Sequence, residues 1–348
     1  MLSNIKFFLL VAACTLVIFI KVLRAPITTI DDQHVAVQDS SSLKFFVIGD
    51  WGSELTDEVM FSNQKRVAAA MKRRALQEGK PEFVISVGDQ AYYNGVTNLT
   101  DATERFVGGF DNMYDKSLLQ EQWYLTVGNH DCMGNVSALY EFADAHPKWT
   151  MKPFYKLNQE LTDKSQKLSI FVLDMCTFVC ASSLQENFRC DGLWRDTEMR
   201  RQEMIHWLDQ ELASANCSEE WCIVAGHWPI FSFGGNGPTS ILIQELLPLL
   251  HKHNVAIYFS GHDHNMQHIT MPSNKTTEFF VTGTGGFKLH PTLKEEIAEE
   301  AEVLNRQVQS EYFVAEYGFM AVRVTRRVIY IDFIHENGRI LYSYRVTK

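Results

Sequence analysis

Leu43-Lys44-Phe45-Phe46-Val47-Ile48-Gly49-Asp50 is a run of apolar, β-branched and aromatic residues that enters a glycine turn and ends on a carboxylate. The same device recurs down the chain. Phe83–Val87 runs into Gly88-Asp89, Gln122–Val127 into Gly128-Asn129-His130, Trp221–Ala225 into Gly226-His227, and Val255–Ser260 into Gly261-His262-Asp263-His264. Between these strands, apolar residues at helical spacing predict helices over Glu58–Gln77, Trp194–Ala215 and Ile241–His253. Strands alternating with helices imply an α/β fold with a largely parallel sheet, and ligands gather at the carboxyl ends of such strands. From Tyr312 to Val346 the pattern changes to alternating strands, with Asn337-Gly338 as a hairpin turn. That predicts antiparallel strands extending a second sheet. The expected organisation is one globular domain over 43–348, behind a polar tether over 26–42 and an N-terminal segment over 1–25.

Composition sets outer bounds. The chain has 348 residues, 46% hydrophobic and 21% charged, which excludes collagen-like, low-complexity and disordered readings for most of its length. Its formal net charge of −10 repels phosphate backbones, so nucleic acid is not an expected partner. An anionic substrate on such a body needs concentrated positive charge to hold it, and that points to metal.

The N-terminus bears on compartment. Phe7–Ile20 is an unbroken apolar run between Lys6 and Lys21, of the length of a secretory signal core. Extended to residues 5–23, with the lysines snorkelling, it can also cross a bilayer as a membrane anchor. Both outcomes imply the secretory pathway: a secreted protein, a lysosomal or vacuolar one, or a membrane-anchored one with its domain luminal or extracellular. Beyond Cys14 there are six cysteines, an even set that suits disulfides, with Cys180–Cys190 and Cys217–Cys222 expected as local staples. Glycosylation sequons stand at Asn98, Asn135, Asn216 and Asn274.

The strand ends present Asp50, Asp89, Tyr92, Asn129, His130, His227, His262 and His264. Oxygen and imidazole donors converging from successive strand ends are what a dinuclear metal site requires. A carboxylate such as Asp89 can bridge two ions, and His262 and His264 can reach different ions from one loop. His251, His253 and His268 lack this context and read as helix-face or core histidines. Lys72-Arg73-Arg74 and Glu295–Glu302 read as solvated helix faces.

Gly49-Asp50-Trp51-Gly52, Gly88-Asp89-Gln90-Ala91-Tyr92, Gly128-Asn129-His130-Asp131, Val224-Ala225-Gly226-His227 and Gly261-His262-Asp263-His264 resemble the five blocks of the purple acid phosphatases. The likeness is to the small, single-domain, tartrate-resistant type within the calcineurin-like metallophosphoesterases, and it runs over residues 43–345. The resemblance implies a four-layer αββα sandwich of two mixed sheets flanked by helices. It also implies that Asp50, Asp89, Tyr92 and His264 hold Fe3+, while Asn129, His227 and His262 hold a divalent ion (Fe2+, Zn2+ or Mn2+) that shares Asp89. Phenolate ligation favours a hard, strongly charged ion, and the neutral amide and imidazoles suit a divalent one.

The activity implied is an acid phosphatase acting on phosphomonoesters, small molecules or phosphoproteins, through a metal-held hydroxide, with the chain acting as a monomer. His130 is expected to orient phosphate or protonate the leaving oxygen. Two departures from the family stand out. Its second outer-sphere histidine, nine residues beyond His227, is Asn236 here, and its cysteine after Gly-Pro-Thr is Ser240, so the family disulfide does not carry over. Two alternatives remain: a metallophosphodiesterase or pyrophosphatase on the same scaffold, with selectivity in loops 176–200 and 288–312, and a catalytically silent, membrane-tethered scaffold. The silent reading expects lost ligands, and all seven are present.

Overall fold

The first strand, β1 (Leu43–Ile48), is buried on both faces, which is why its sequence reads as a continuous apolar run. Phe45 and Val47 point between two sheets, while Phe46 and Ile48 point to the helices outside. The computed structural model describes residues 41–52, 56–180, 197–274, 276–290 and 302–348. The N-terminal segment, most of the tether, the expected Cys180–Cys190 pair and nearly all of Glu295–Glu302 lie outside the described residues.

Further strands are β2 (Phe83–Ser86), β3 (Gln122–Leu125), β4 (Trp149–Met151), β5 (Phe154–Glu160), β6 (Lys167–Leu173) and β7 (Trp221–Ala225). They continue with β8 (Ile257–Ser260), β9 (Met266–Thr270), β10 (Glu278–Thr282), β11 (Gln309–Val314), β12 (Gly318–Val324), β13 (Val328–His335) and β14 (Ile340–Thr347). They form two seven-stranded mixed sheets, ordered β14-β13-β12-β1-β2-β3-β4 and β11-β9-β10-β8-β7-β6-β5. Ile85, Val87, Met320, Ile331 and Phe333 of the first sheet meet Ile170, Val172, Ile223, Phe259 and Phe280 of the second. Helices cover the outer faces: α1 (Glu58–Glu78), α2 (Leu99–Phe106), α3 (Asn129–Cys132) and α4 (Val136–Ala145) in the first half of the chain. The second half contributes α5 (Cys176–Cys180), α6 (Thr197–Ala215), α7 (Ser240–Glu245) and α8 (Leu247–Lys252). The chain is thus a pair of mixed β-sheets flanked by helices.

Three expectations need correction. The tail does not extend only the second sheet: β11 does, but β12, β13 and β14 add to the first, where Leu43 of β1 pairs with Val324 of β12. Alternation identifies a half-buried strand without saying which free edge will accept it. The single helix expected over Ile241–His253 is two, joined at Leu246, because Pro248 has no N–H to give and disfavours helical backbone before it. Finally, Arg74 is not on a solvated face. It is 8% exposed and pairs with Glu78 at 2.9 Å and with Asp332, docking α1 onto β13.

Candidate metal centre

The carboxyl ends of five strands meet at one edge of the sandwich. The first sheet delivers Asp50 after β1, Asp89 and Tyr92 after β2, and Asn129 at the start of α3; the second delivers His227 after β7 and His262 and His264 after β8. Oxygen donors therefore come from one sheet and imidazoles from the other. The turns achieve this convergence under strain, since Asp50, Asp89 and His262 themselves adopt φ of 57°, 57° and 66°. Gly88 has φ 104°, and a Cβ there would lie 2.3 Å from His227 Nδ1. At Gly49 the need is close approach, because a Cβ would meet Thr282 O at 2.8 Å.

The seven expected ligand residues are brought together, and Asp50, Asp89 and Tyr92 are fully buried. Tyr92 Oη donates to Asp89 at 3.0 Å and lies 3.1 Å from Asp50 and 3.4 Å from His264 Nε2. Asn129 Oδ1 lies 2.9 Å from His227 Nε2 and 2.8 Å from His262 Nδ1. Asp89 links the two groups, with Oδ2 also 3.4 Å from His227 Nε2. Carboxylate and imidazole atoms of Asp50, Asp89 and His227 all lie within 4.8 Å of one another.

These contacts answer whether the residues fit a pair of cations. His227 Nδ1 faces the Val87 carbonyl at 2.7 Å and His264 Nδ1 the Lys288 carbonyl at 2.6 Å. A carbonyl only accepts, so each Nδ1 carries the proton and each Nε2 is the nitrogen that faces the cluster. Without a cation the groups compensate one another. Burial works against charge on His227, yet Asp89 raises its pKa to about 9. Burial, then Asp50 and Asp89, push the Tyr92 phenol well above its usual range. Burial also disfavours charge on Asp89, but His227 and His130 hold its carboxylate well below the ordinary value. Two buried carboxylates, a phenol, an amide oxygen and three imidazoles, with neither lysine nor arginine among them, make a donor set that fits one hard and one borderline cation.

The rim carries the remaining candidates. His130 packs its ring 4.3 Å from that of Tyr92, its backbone N–H donates to Asp89 at 2.8 Å, and its Nδ1 bonds the Tyr93 carbonyl. Asn236 lies beside His262, donating from Nδ2 to the His262 carbonyl at 2.9 Å. Of the sequons, Asn98 and Asn135 cap α2 and α4, Asn216 is exposed, and Asn274 closes a turn by accepting from Thr276.

Several supporting residues were not singled out from sequence. Asp131 accepts from the backbone N–H groups of Gly128 at 2.8 Å and of Gln90 and Ala91 at 3.0 Å, clamping two ligand turns together. Burial and Asp89 raise its pKa to about 7. Asp263 accepts from Ser232 and from the Asn236 N–H, which fixes the loop bearing Asn236. Phe287 stacks on Tyr92 at 4.0 Å, and His290 stacks on His264 at 4.0 Å. Cys132 and Cys176 form a disulfide that ties α3 to α5, while Cys217–Cys222 is the staple expected from spacing. Both acidic clamps stand inside recognisable motifs, but their role is visible only once the turns are adjacent. His268 is a core histidine between Tyr342 and Glu278, and His253 pairs with Asp209, as expected of histidines outside the centre.

Comparison with known proteins agrees with this geometry. Residues 43–266 match the calcineurin-like phosphoesterase family. The chain is 30% identical over 312 residues to human tartrate-resistant acid phosphatase type 5, covering 88% of this chain and 91% of that protein. It is 30% identical over 329 residues to purple acid phosphatase 4 of Arabidopsis thaliana, covering 94% and 89%. Among solved structures, GAP50, the anchor in the inner membrane complex of Plasmodium, superposes with a TM-score of 0.69 at 21% identity, covering 88% and 89%. A purple acid phosphatase from yellow lupin seeds superposes with a TM-score of 0.55 at 14% identity, covering 88% of this chain and 54% of that one. The chain belongs to the calcineurin-like phosphoesterase family, among the purple acid phosphatases of the small tartrate-resistant type.

Proposed function

We propose that the protein is an acid phosphatase that hydrolyses phosphomonoesters at a dinuclear centre, with Fe3+ among Asp50, Asp89, Tyr92 and His264 and a divalent ion among Asn129, His227 and His262. The convergence of those seven donors on one buried edge carries this reading. When bound, such a pair of ions supplies Lewis acidity that neutralises phosphate charge and acidifies water, so the optimum is expected below neutrality.

The chain's own groups do the positioning. Asp89 presents one oxygen to Tyr92 and His227 while its other is held by the His130 N–H, which keeps the shared carboxylate in one orientation. The Val87 and Lys288 carbonyls keep His227 and His264 turned inward. His130 has Nδ1 committed to Tyr93, leaving Nε2 as its nitrogen for a phosphate or leaving oxygen at the rim. Asn236 spends one amide proton on His262 and retains the other for a phosphate oxygen.

Entry into the secretory pathway, glycosylation at Asn98, Asn135, Asn216 and Asn274, and action as a monomer complete the proposal. The two disulfides among the described residues support the oxidising compartment. The test is phosphate release from an aryl phosphomonoester across about pH 4 to 8, with metal analysis, on the full chain from a secretory host. Activity peaking in acid, more than about 100-fold lower in Asp89→Ala together with lost metal, is the expected result. Metal retained without monoester hydrolysis would favour a diesterase or pyrophosphatase. A folded chain that takes up no metal would favour the scaffold reading.

A further inference from the structure

We propose that His290 is a substrate-binding residue of the metal centre, whose imidazole supplies a hydrogen-bonding nitrogen for a phosphate oxygen on the His264 side of the rim. The inference deepens the phosphatase reading and rests on it, since the group bound is the phosphate of that reading's substrate.

His290 ends a strap, 283–290, that crosses the ligand turns rung by rung. The Gly283 N–H donates to the Asn265 carbonyl at 3.2 Å, Gly285 to Gly49 at 2.9 Å, Phe287 to Asp50 at 3.2 Å and His290 to His264 at 2.9 Å. Asn265 Nδ2 then donates to the His290 carbonyl at 3.0 Å. The backbone of His290 is thus pinned on both sides, next to a ligand histidine. Two rings of the strap cover two ligand rings. Phe287 lies on Tyr92 and His290 on His264, each with centroids 4.0 Å apart, at interplanar angles of 5° and 23°. Stacking needs only a flat ring, and on Tyr92 the strap supplies a hydrocarbon one. On His264 it supplies an imidazole, so the nitrogens need another explanation.

No hydrogen bond within the domain provides it. Among the described residues, Nδ1 of His290 is buried without a partner. Asp263 Oδ1 stands 3.9 Å away, beyond hydrogen-bond distance. That carboxylate is already supplied by the Ser232 hydroxyl and by the Asn236 N–H at 2.8 Å, so it does not call for a histidine. Leaving a buried imidazole nitrogen unpaired costs stability, and a polar group kept at that cost points to a role in binding or catalysis. The ring is 27% exposed while Nδ1 is covered, so its open edge carries Nε2. With Nδ1 bonded to nothing, Nε2 is free to carry the proton and donate.

Position selects the ligand. Asn236 and His290 flank Asp263 from two sides, one bonded to the His262 carbonyl and the other stacked on His264. His130 stands against Tyr92. The phosphatase reading gives His130 and Asn236 to the phosphate, and on the His264 side the corresponding donor is His290.

Calorimetric titration of the metal-loaded full chain with inorganic phosphate tests this, alongside steady-state hydrolysis of an aryl phosphomonoester. His290→Phe keeps a flat ring on His264 and removes both nitrogens. It should weaken phosphate binding and raise KM about tenfold each, with kcat within about threefold of wild type and metal content and melting temperature unchanged. His290→Gln restores a donor without the stack and should recover most of the phosphate affinity. Wild-type affinity in His290→Phe would overturn the proposal. So would metal lost in step with phosphate in both variants, because His290 would then act only through His264. Hydrolysis absent from a wild-type chain whose phosphate binding still depends on His290 would sink the phosphatase reading alone. A wild-type chain that holds metal and binds no phosphate would sink both.

Discussion

Asn236 stands where the family resemblance implies a second outer-sphere histidine, and the structure sharpens what asparagine means there. Its amide is tied to the His262 carbonyl and its backbone to Asp263, so it positions a ligand loop and donates at most one proton outward. It cannot give up a proton to a leaving alkoxide. Asn236→His should therefore raise kcat several-fold for poor alkyl leaving groups and leave aryl esters nearly unchanged, and unaltered kinetics on both would refute it. Asp174 is a second informative residue. Burial raises its pKa to about 7, and it is bonded to Tyr140 at 3.1 Å and to the Cys176 N–H at 2.9 Å. Its folded value lies above the unfolded one, so the folded state binds the extra proton and stability falls as pH rises between about 4 and 7. Asp174→Asn should flatten that slope. Urea unfolding at about pH 5 and pH 7 will read the effect as a wild-type loss, on the order of a few kcal/mol at most, that is smaller in the variant, where Asp131 still keeps a raised carboxyl. The candidate histidines His130, His227, His262 and His264 stand out at this scale because each comes within three residues after a glycine at a strand end. Asp131 does not, since a carboxylate among turn residues looks the same whether it clamps two loops or faces water.

At the scale of elements, α3 carries Asn129 and His130 on only four residues, too short to hold itself. Its support comes from Asp131 and from the Cys132–Cys176 disulfide, which spans 44 residues and joins it to the end of β6 through α5. Cys176→Ser should cost about 2–4 kcal/mol and lower the melting temperature by several degrees. It should also loosen metal retention, measured by competition with a chelator, whereas breaking Cys217–Cys222 should affect stability alone. Strand β1 and the glycine turns were legible because a fully buried strand leaves a continuous apolar record. The disulfide partner was not, because six cysteines admit many pairings and proximity across the sandwich decides between them. The break between α7 and α8 was written in Pro248, and the docking of α1 through Arg74 depended on where β13 would lie.

For the whole molecule, closure of the first sheet joins the start of the domain to its end. Ile329, Ile331 and Phe333 of β13 are fully buried between the sheets, each contributing about 1.5–3 kcal/mol relative to exposure. Removing residues 328–348 forfeits an amount comparable with the net stability of a domain, so the truncated chain should fail to accumulate in soluble form. Soluble, active protein lacking β13 and β14 would show that the tail is dispensable. The succession of buried strands and helices along the chain, the candidate donor residues and the family were determined by the sequence itself, because buried strands, glycine turns and donor residues each leave a local signature. Which edge accepts the tail, which cysteines meet and which acids clamp the turns were decided only by the tertiary structure. Those depend on residues distant in the chain arriving at the same place, and no local pattern records that meeting.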